Sequence, residues 1–250
     1  MLWKILWKMK LVKKEMLTRL NKYIADSGIT SRRKSEEYIL QGRVTVNNKV
    51  VKELAYKVNS EQDSVMLDGE KITPRKHIYF LLNKPAGVIT STDDEKKRRT
   101  VVDLIKVNEK IFPVGRLDYN TTGVLLLTND GEFSNLLTHP RNKVPKEYEV
   151  KLDKPLSNED IEKLLKGIFI ERRKGVFVKI SLLSPNKKVA RITTFEGRNH
   201  FVKKMFGALG YYVTGLNRKS FAGFTADVPL SSYRKLSKTE IEGVFKNYAK

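Results

Sequence analysis

The loop GRLDYNTTG, residues 115–123, carries the most suggestive chemistry in the chain. It sets an aspartate two residues after an arginine, between glycines and between the apolar runs IFPV and VLLLT. Strands on both sides would hold such a loop rigidly enough to place a side chain for reaction. A cation at Arg116 favours the ionised form of Asp118, and an ionised carboxylate serves as nucleophile or base. The same spacing suits a hairpin loop whose aspartate bonds to nearby backbone, and spacing alone leaves both readings open.

The segment FEGRNHFVKKMFGALG puts a glycine and a cation before a helix predicted over about 199–209, with Val202, Met205, Phe206 and Leu209 as its buried stripe. Lys203 falls at the border of that stripe, where the stem is covered and the ammonium reaches a cleft; a plain surface lysine is the alternative. Tyr148, in KEYEV, reads either as a packing aromatic or as a platform for a base. Other chemistries lack their residues. The chain has no cysteine, no Walker loop, no dinucleotide glycine fingerprint and no HExxH. Its histidines, at 77, 139 and 200, read as surface or packing residues, and no metal site is expected.

These residues need a scaffold, and the pattern supplies one. IYFLLNKPAG reads as a buried strand entering a Pro/Gly turn, IFPV, VLLLT and EYEVKL as further strands, and NEDIEKLLKG as a helix closed by Gly167. Strands around 176–183 and 189–195 precede the helix that carries Lys203. Strand-rich order with interspersed helices predicts an α+β fold on a largely antiparallel sheet.

Ahead of this lies a smaller pattern. A helix is predicted from Leu17 with Leu20, Tyr23 and Ile24 on one face and Gly28 as its stop. A second is capped by Ser31, buries Tyr38 and Ile39, and ends at Gly42. Val44, Val46, Asn47-Asn48 and Val50 read as a hairpin. Strands around 65–72 lead to Pro74, Arg75, Lys76 and His77, read as a linker. Arg32, Arg33 and Lys34 put three cations into the first turn of the second helix, where they oppose its macrodipole. A bound phosphate would reverse that penalty. Arg19, Lys22 and Arg43 extend the same basic surface if the helices pack together. An ordinary solvated basic face is the alternative, as it is for the run Lys96, Lys97, Arg98, Arg99.

Composition agrees with a polyanionic partner: 49 Lys and Arg against 28 Asp and Glu leave a net charge of +21. No run reaches the roughly 18 apolar residues that span a bilayer, and the lack of cysteine fits a reducing cytoplasm. The basic amphipathic start, MLWKILWKMKLVKKE, does not read as a signal peptide. A lipid-surface helix and a dispensable leader before Met16 are both consistent with it.

Taken together, the motifs resemble the RsuA/RluB family of bacterial ribosomal-RNA pseudouridine synthases over nearly all of residues 17–250. RLNKYIADSGITSRRKSEEYILQGRVTVN looks like an S4 RNA-binding domain, LLNKPAGVITS like the family's first motif, and GRLDYNTTGVLLLTNDGE like its catalytic motif. The resemblance implies that Asp118 is the catalytic aspartate and Tyr148 the active-site tyrosine. It further implies that Lys203 is the basic residue paired with the aspartate and that Leu216, in VTGLNR, lines the uridine pocket. Many relatives carry glutamine or a similar polar residue where this chain has Phe201, so that residue's polar contact is not expected here.

The implied architecture is a basic N-terminal extension (1–16), a small S4-like α/β RNA-binding domain (17–62), connecting strands and linker (63–77), and a catalytic domain (78–250) on a largely antiparallel mixed sheet with flanking helices. The implied reaction turns a uridine of ribosomal RNA into pseudouridine without external cofactor. A large-subunit (23S) substrate is favoured and a small-subunit (16S) one comes next; a monomer acting in the cytoplasm is expected. The competing readings are a non-catalytic S4-domain RNA-binding or ribosome-assembly protein and an RNA enzyme of another class, such as a methyltransferase.

Overall fold

A computed structural model describes residues 17–249, so the basic extension lies outside the described residues. The chain divides into two compact units, the first ending at His77 and the second beginning at Ile78. Among the described residues no helix is long and apolar enough to cross a membrane.

The first unit contains, in order, β1 (Leu17–Arg19), α1 (Leu20–Asp26), α2 (Arg32–Leu40), β2 (Val44–Val46), β3 (Lys49–Val50), β4 (Lys57–Asn59), β5 (Val65–Leu67) and β6 (Glu70–Lys71). The helical pattern starts three residues later than expected. Leu17 to Arg19 pair antiparallel with β4, whereas Leu20, Tyr23 and Ile24 are the residues that bury fully. Ser31 caps α2 by accepting from the Lys34 amide at 3.3 Å. Gly42, at φ +74°, lets the chain turn back after the helix. Asn47 and Asn48 both take positive φ, as a tight hairpin turn requires. β5 pairs with β2, and β6 with β5. Part of the stretch expected to connect the domains is therefore the first unit's own sheet: one face of β2 needs Val65 and Leu67 to close the core around Ile39 and Val58.

The second unit contains β7 (Tyr79–Lys84), β8 (Phe112–Pro113), β9 (Thr122–Thr128), α3 (Gly131–Thr138), β10 (Lys146–Leu152), α4 (Asn158–Lys166), β11 (Ile168–Ile170), β12 (Arg173–Gly175), β13 (Lys179–Leu182), β14 (Val189–Thr194), α5 (Phe201–Gly207), β15 (Val213–Phe221), β16 (Phe224–Thr225), β17 (Tyr233–Lys235) and α6 (Lys238–Tyr248). The main sheet runs β13-β14-β10-β15-β9-β7-β17, with β16 on β15 and β8 on β9. Pairing is antiparallel except where Asn217 and Arg218 of β15 meet Thr122 and Gly123 of β9. The sheet is mixed, with flanking helices, in an α+β fold.

Both faces of the central strands are covered, which explains their unbroken apolar runs. Leu125 and Leu127 face one core with Phe80, Leu82, Phe206 and Met205. Val124 and Leu126 face the other with Leu81, Phe133, Leu137 and Val244. α5 lies against the first core and α3 and α6 against the second. α5 starts later than the predicted 199 because His200 takes a left-handed conformation, φ +53°, and it ends at Gly207 rather than 209.

Candidate active site

The loop 115–123 joins β8 to β9, and backbone geometry fixes its ends. Gly115 has φ +72° and Gly123 φ +106°. A Cβ on Gly123 would lie 2.2 Å from the Arg218 carbonyl oxygen, so only glycine permits the parallel contact of β9 with β15. Inside the loop the Thr121 amide donates to the Asp118 carbonyl at 3.0 Å. The turn after β7 braces the loop from outside: the Gly87 amide donates to the Tyr119 carbonyl at 3.0 Å and Thr90 Oγ1 to that of Leu117 at 2.7 Å.

Lys84 holds the underside. It is fully buried, and its Nζ donates to the carbonyls of Pro85 (2.9 Å), Thr121 (3.0 Å), Asp118 (3.3 Å) and Tyr119 (3.3 Å). Burial pulls this ammonium down to about 8; the charge of Asp118 opposes the shift and Arg218 adds to it. The sequence offered a signal for this residue. Lys84 falls in the same alternation as Phe80 and Leu82, and a cation at a core position needs acceptors around it.

The Asp118 carboxylate meets its partners at the start of α5 rather than in its own loop. Lys203 Nζ stands 3.1 Å from Oδ2, and His200 Nε2 stands 3.4 Å from Oδ1. Among the described residues Arg116 makes no ion pair with Asp118; it lines the same cavity, exposed. His200 therefore touches the residue of interest although a lone histidine reads as packing or surface.

Asp118 opens onto a cavity of about 120 Å³ lined also by Arg116, Tyr148, Leu216, Lys146 and Arg218. Tyr148 and Leu216 come from the neighbouring strands β10 and β15, whose pairing brings Val150 opposite Leu216 and Tyr148 opposite Arg218. All five residues singled out in this half of the sequence thus converge, Lys203 through its ion pair and the others as lining. Phe201 packs against Phe177 and under the Arg198 guanidinium, 5.0 Å from its ring, so an aromatic contact occupies that point.

The cavity is rich in buried polar groups. Arg218 is almost wholly buried; its Nε donates to the Val124 carbonyl at 2.7 Å and its guanidinium lies 4.7 Å from the Phe221 ring. Lys146 Nζ donates to the carbonyls of Val144 and Phe195, both at 3.2 Å. Burial lowers Lys146 to about 8, Arg218 adding to the shift and Glu196 opposing it. Thr121 Oγ1, Arg198 Nη1 and Arg218 Nη2 are buried without a hydrogen-bond partner among the described residues, and all three residues line this cavity. Unpaired buried polar atoms gathered at one cavity are poised for a polar ligand. Neither Lys146 nor Arg218 was singled out in the sequence, because each sits in a strand where alternation predicts packing. No group of three or more metal-ligating side chains occurs among the described residues.

In the first unit the basic residues divide into two kinds. Lys34 pairs with Glu37 at 2.5 Å. Arg43 pairs with both carboxylate oxygens of Asp68, at 2.9 and 2.5 Å, and covers the Tyr38 ring at 4.0 Å. Arg32 and Arg33 are exposed and have no ion pair among the described residues. Arg19 is exposed at the start of α1 and Lys22 half-buried within it.

Comparison with known proteins gives this geometry a context. The family profile described as RNA pseudouridylate synthase matches residues 78–208, and that of the S4 domain matches residues 18–65. The chain is 44% identical to "Ribosomal large subunit pseudouridine synthase B" of Bacillus subtilis (strain 168), covering 82% of this chain and 86% of the relative. It is 37% identical to "Ribosomal small subunit pseudouridine synthase A" of Escherichia coli (strain K12), covering 90% and 99%. A solved structure, "Crystal structure of pseudouridylate synthase", superposes with a TM-score of 0.66 at 32% identity, covering 90% of this chain and 99% of the other.

Proposed function

The chain belongs to the RNA pseudouridine synthase family, and from that premise we propose that it isomerises a uridine of ribosomal RNA with Asp118 as nucleophile. The observation that carries this reading is the Asp118 carboxylate, bracketed by Lys203 and His200, at a cavity whose wall holds three buried polar groups without a partner among the described residues.

The isomerisation breaks the bond between N1 of uracil and C1′ of ribose, turns the base within the pocket, and joins C5 to C1′. N1 gains a proton and C5 releases its hydrogen to solvent, so the reaction balances with no co-reactant. Asp118 attacks either carbon 6 of the base or C1′ of the sugar, and both routes need the same ionised carboxylate. Lys203 and His200 hold it oriented. A uridine within structured RNA is first turned out of its stack, and Tyr148 takes the flipped base on its face and serves in proton transfer. Leu216 shapes the pocket. Lys146 and Arg218 face the charge that a detached uracil carries, an arrangement most effective where water is excluded. Arg116, exposed at the rim, meets the RNA.

The S4 domain supplies a second contact, with Arg32 and Arg33 on backbone phosphate at the start of α2. The higher identity to a large-subunit enzyme supports a 23S substrate, with 16S next. The protein is read as a monomer acting in the cytoplasm.

The test is tritium release from ribosomal-RNA transcripts labelled at carbon 5 of uridine, using the wild type and Asp118→Asn. Release by the wild type alone is expected. No release from either, on naked RNA and on partly assembled subunits of both sizes, would replace this reading with that of an RNA-binding assembly protein.

A further inference from the structure

A groove of about 680 Å³ adjoins the Asp118 cavity and plays no part in the chemistry above. One wall is the turn after α3, carrying His139 and Lys143; the other is β12 with the segment after β14, carrying Arg173, Lys174 and Phe195. The groove shares Thr138, Lys146 and Arg198 with the cavity, so the two are continuous.

Its chemistry is one-sided. Lys143, Arg173 and Lys174 are exposed and have no ion pair among the described residues. The acid in the lining, Glu196, is already engaged by Arg198 at 2.8 Å. The tight turn at Glu171 and Arg172, both at positive φ, carries the chain from β11 into β12. Phe195 is 39% exposed, a large apolar face left open among cations. Free cations track a phosphate backbone, and an exposed ring accepts a base that is not stacked in a duplex.

We infer that this groove takes the single-stranded RNA flanking the target nucleotide, with phosphates on Lys143, Arg173 and Lys174 and one base on Phe195. The inference rests on the uridine-isomerising reading of the adjoining cavity and adds to it a requirement for unpaired RNA beside the target.

The test uses the full chain and a single-stranded RNA of about ten nucleotides carrying one 4-thiouridine, photocrosslinked and mapped by mass spectrometry. Crosslinks on Phe195 or within 139–143 and 173–178 are expected, and they fall at least about fivefold in the double variant Arg173→Ala with Lys174→Ala. Crosslinks in residues 78–249 that avoid the groove would overturn the inference. This readout needs no turnover, so the groove and the isomerase reading fail separately.

With a ribosomal-RNA transcript as substrate, the same double variant raises KM about tenfold, with the loss in KM rather than kcat. Its log–log salt dependence becomes shallower by about 1.4, the value for two phosphate contacts on single strands. Lys235→Ala with Lys246→Ala, outside the groove, changes neither quantity. Where alanine lowers the unfolding midpoint, Arg173→Gln with Lys174→Gln keeps the stems and gives the same comparison. Unchanged KM and slope overturn the inference. An effect confined to assembled subunits and absent on naked transcript also overturns it, assigning the surface to a ribosomal protein.

Discussion

Lys203 Nζ lies 3.1 Å from Asp118 Oδ2, although 85 residues separate them, whereas Arg116, two positions from the same carboxylate, makes no ion pair with it. The aspartate is fixed by its loop and paired by a helix distant in the sequence. Lys203→Ala should lower kcat by about 100-fold, the scale of one lost electrostatic partner at a reacting group. Lys203→Arg should recover part of the loss, and Arg116→Ala should act mainly on KM. Steady-state tritium release separates these outcomes; equal kcat losses in Arg116→Ala and Lys203→Ala would contradict the assignment.

Lys146 predicts opposite responses of stability and activity to pH. Its folded value is about 8 and its ordinary value 10.5, so between these the unfolded chain binds more protons. Its contribution to stability is therefore fully present above about 10.5 and is lost as pH falls through about 8. Relative to Lys146→Met, the wild type should gain on the order of 1 kcal/mol in unfolding free energy from pH 8 to 10. Its kcat should fall over the same range as the cavity loses a cation. Urea titrations paired with rate profiles measure both, and a flat difference in stability would remove the buried ammonium from the account.

Gly123→Ala should be severe. The added methyl meets the Arg218 carbonyl at 2.2 Å at a φ that non-glycine residues avoid. A cost of about 3 kcal/mol or more is expected, together with lost turnover, since the strand contact that fails also anchors the loop of Asp118. Gly131→Ala, where a Cβ meets nothing within 4 Å, is the matched control. Denaturant midpoints of the pair decide the matter.

In the first unit, Arg32→Ala with Arg33→Ala should weaken RNA binding and make its salt slope shallower by about 1.4 to 1.8, at unchanged stability. Arg43→Ala should behave differently, lowering the unit's melting midpoint slightly through loss of an exposed bidentate pair and its cover over Tyr38. Binding isotherms at several salt concentrations, set beside melting curves, distinguish contact from support. A loss of affinity in Arg43→Ala equal to that in the double variant would argue that both faces meet RNA.

Much of this protein was legible as a sequence because it depends on local rules. Apolar runs in YFLLNK and VLLLT identified strands, Ser31 and Gly42 bounded a helix, and Asn47-Asn48 marked a hairpin. The glycine-bounded loop with Asp118 stood out for the same reason: its ends obey backbone constraints written in residue types. The pairings were not legible. That β4 completes a pair with residues 17–19, and that β5 joins β2 rather than bridging the units, follows from which apolar faces remain open once the helices pack.

The site divides in the same way. The sequence by itself determined the order of the motifs, and the resemblance they carry implied that Asp118, Tyr148, Lys203 and Leu216 belong together. Only the tertiary structure decided that His200 also meets the carboxylate, that Arg116 does not, and that Lys84, Lys146 and Arg218 are buried beside it. The physical reason is that a charge is stabilised by whatever surrounds it in space. A buried cation needs carbonyls and carboxylates gathered from distant segments, and no spacing rule along the chain records where they arrive.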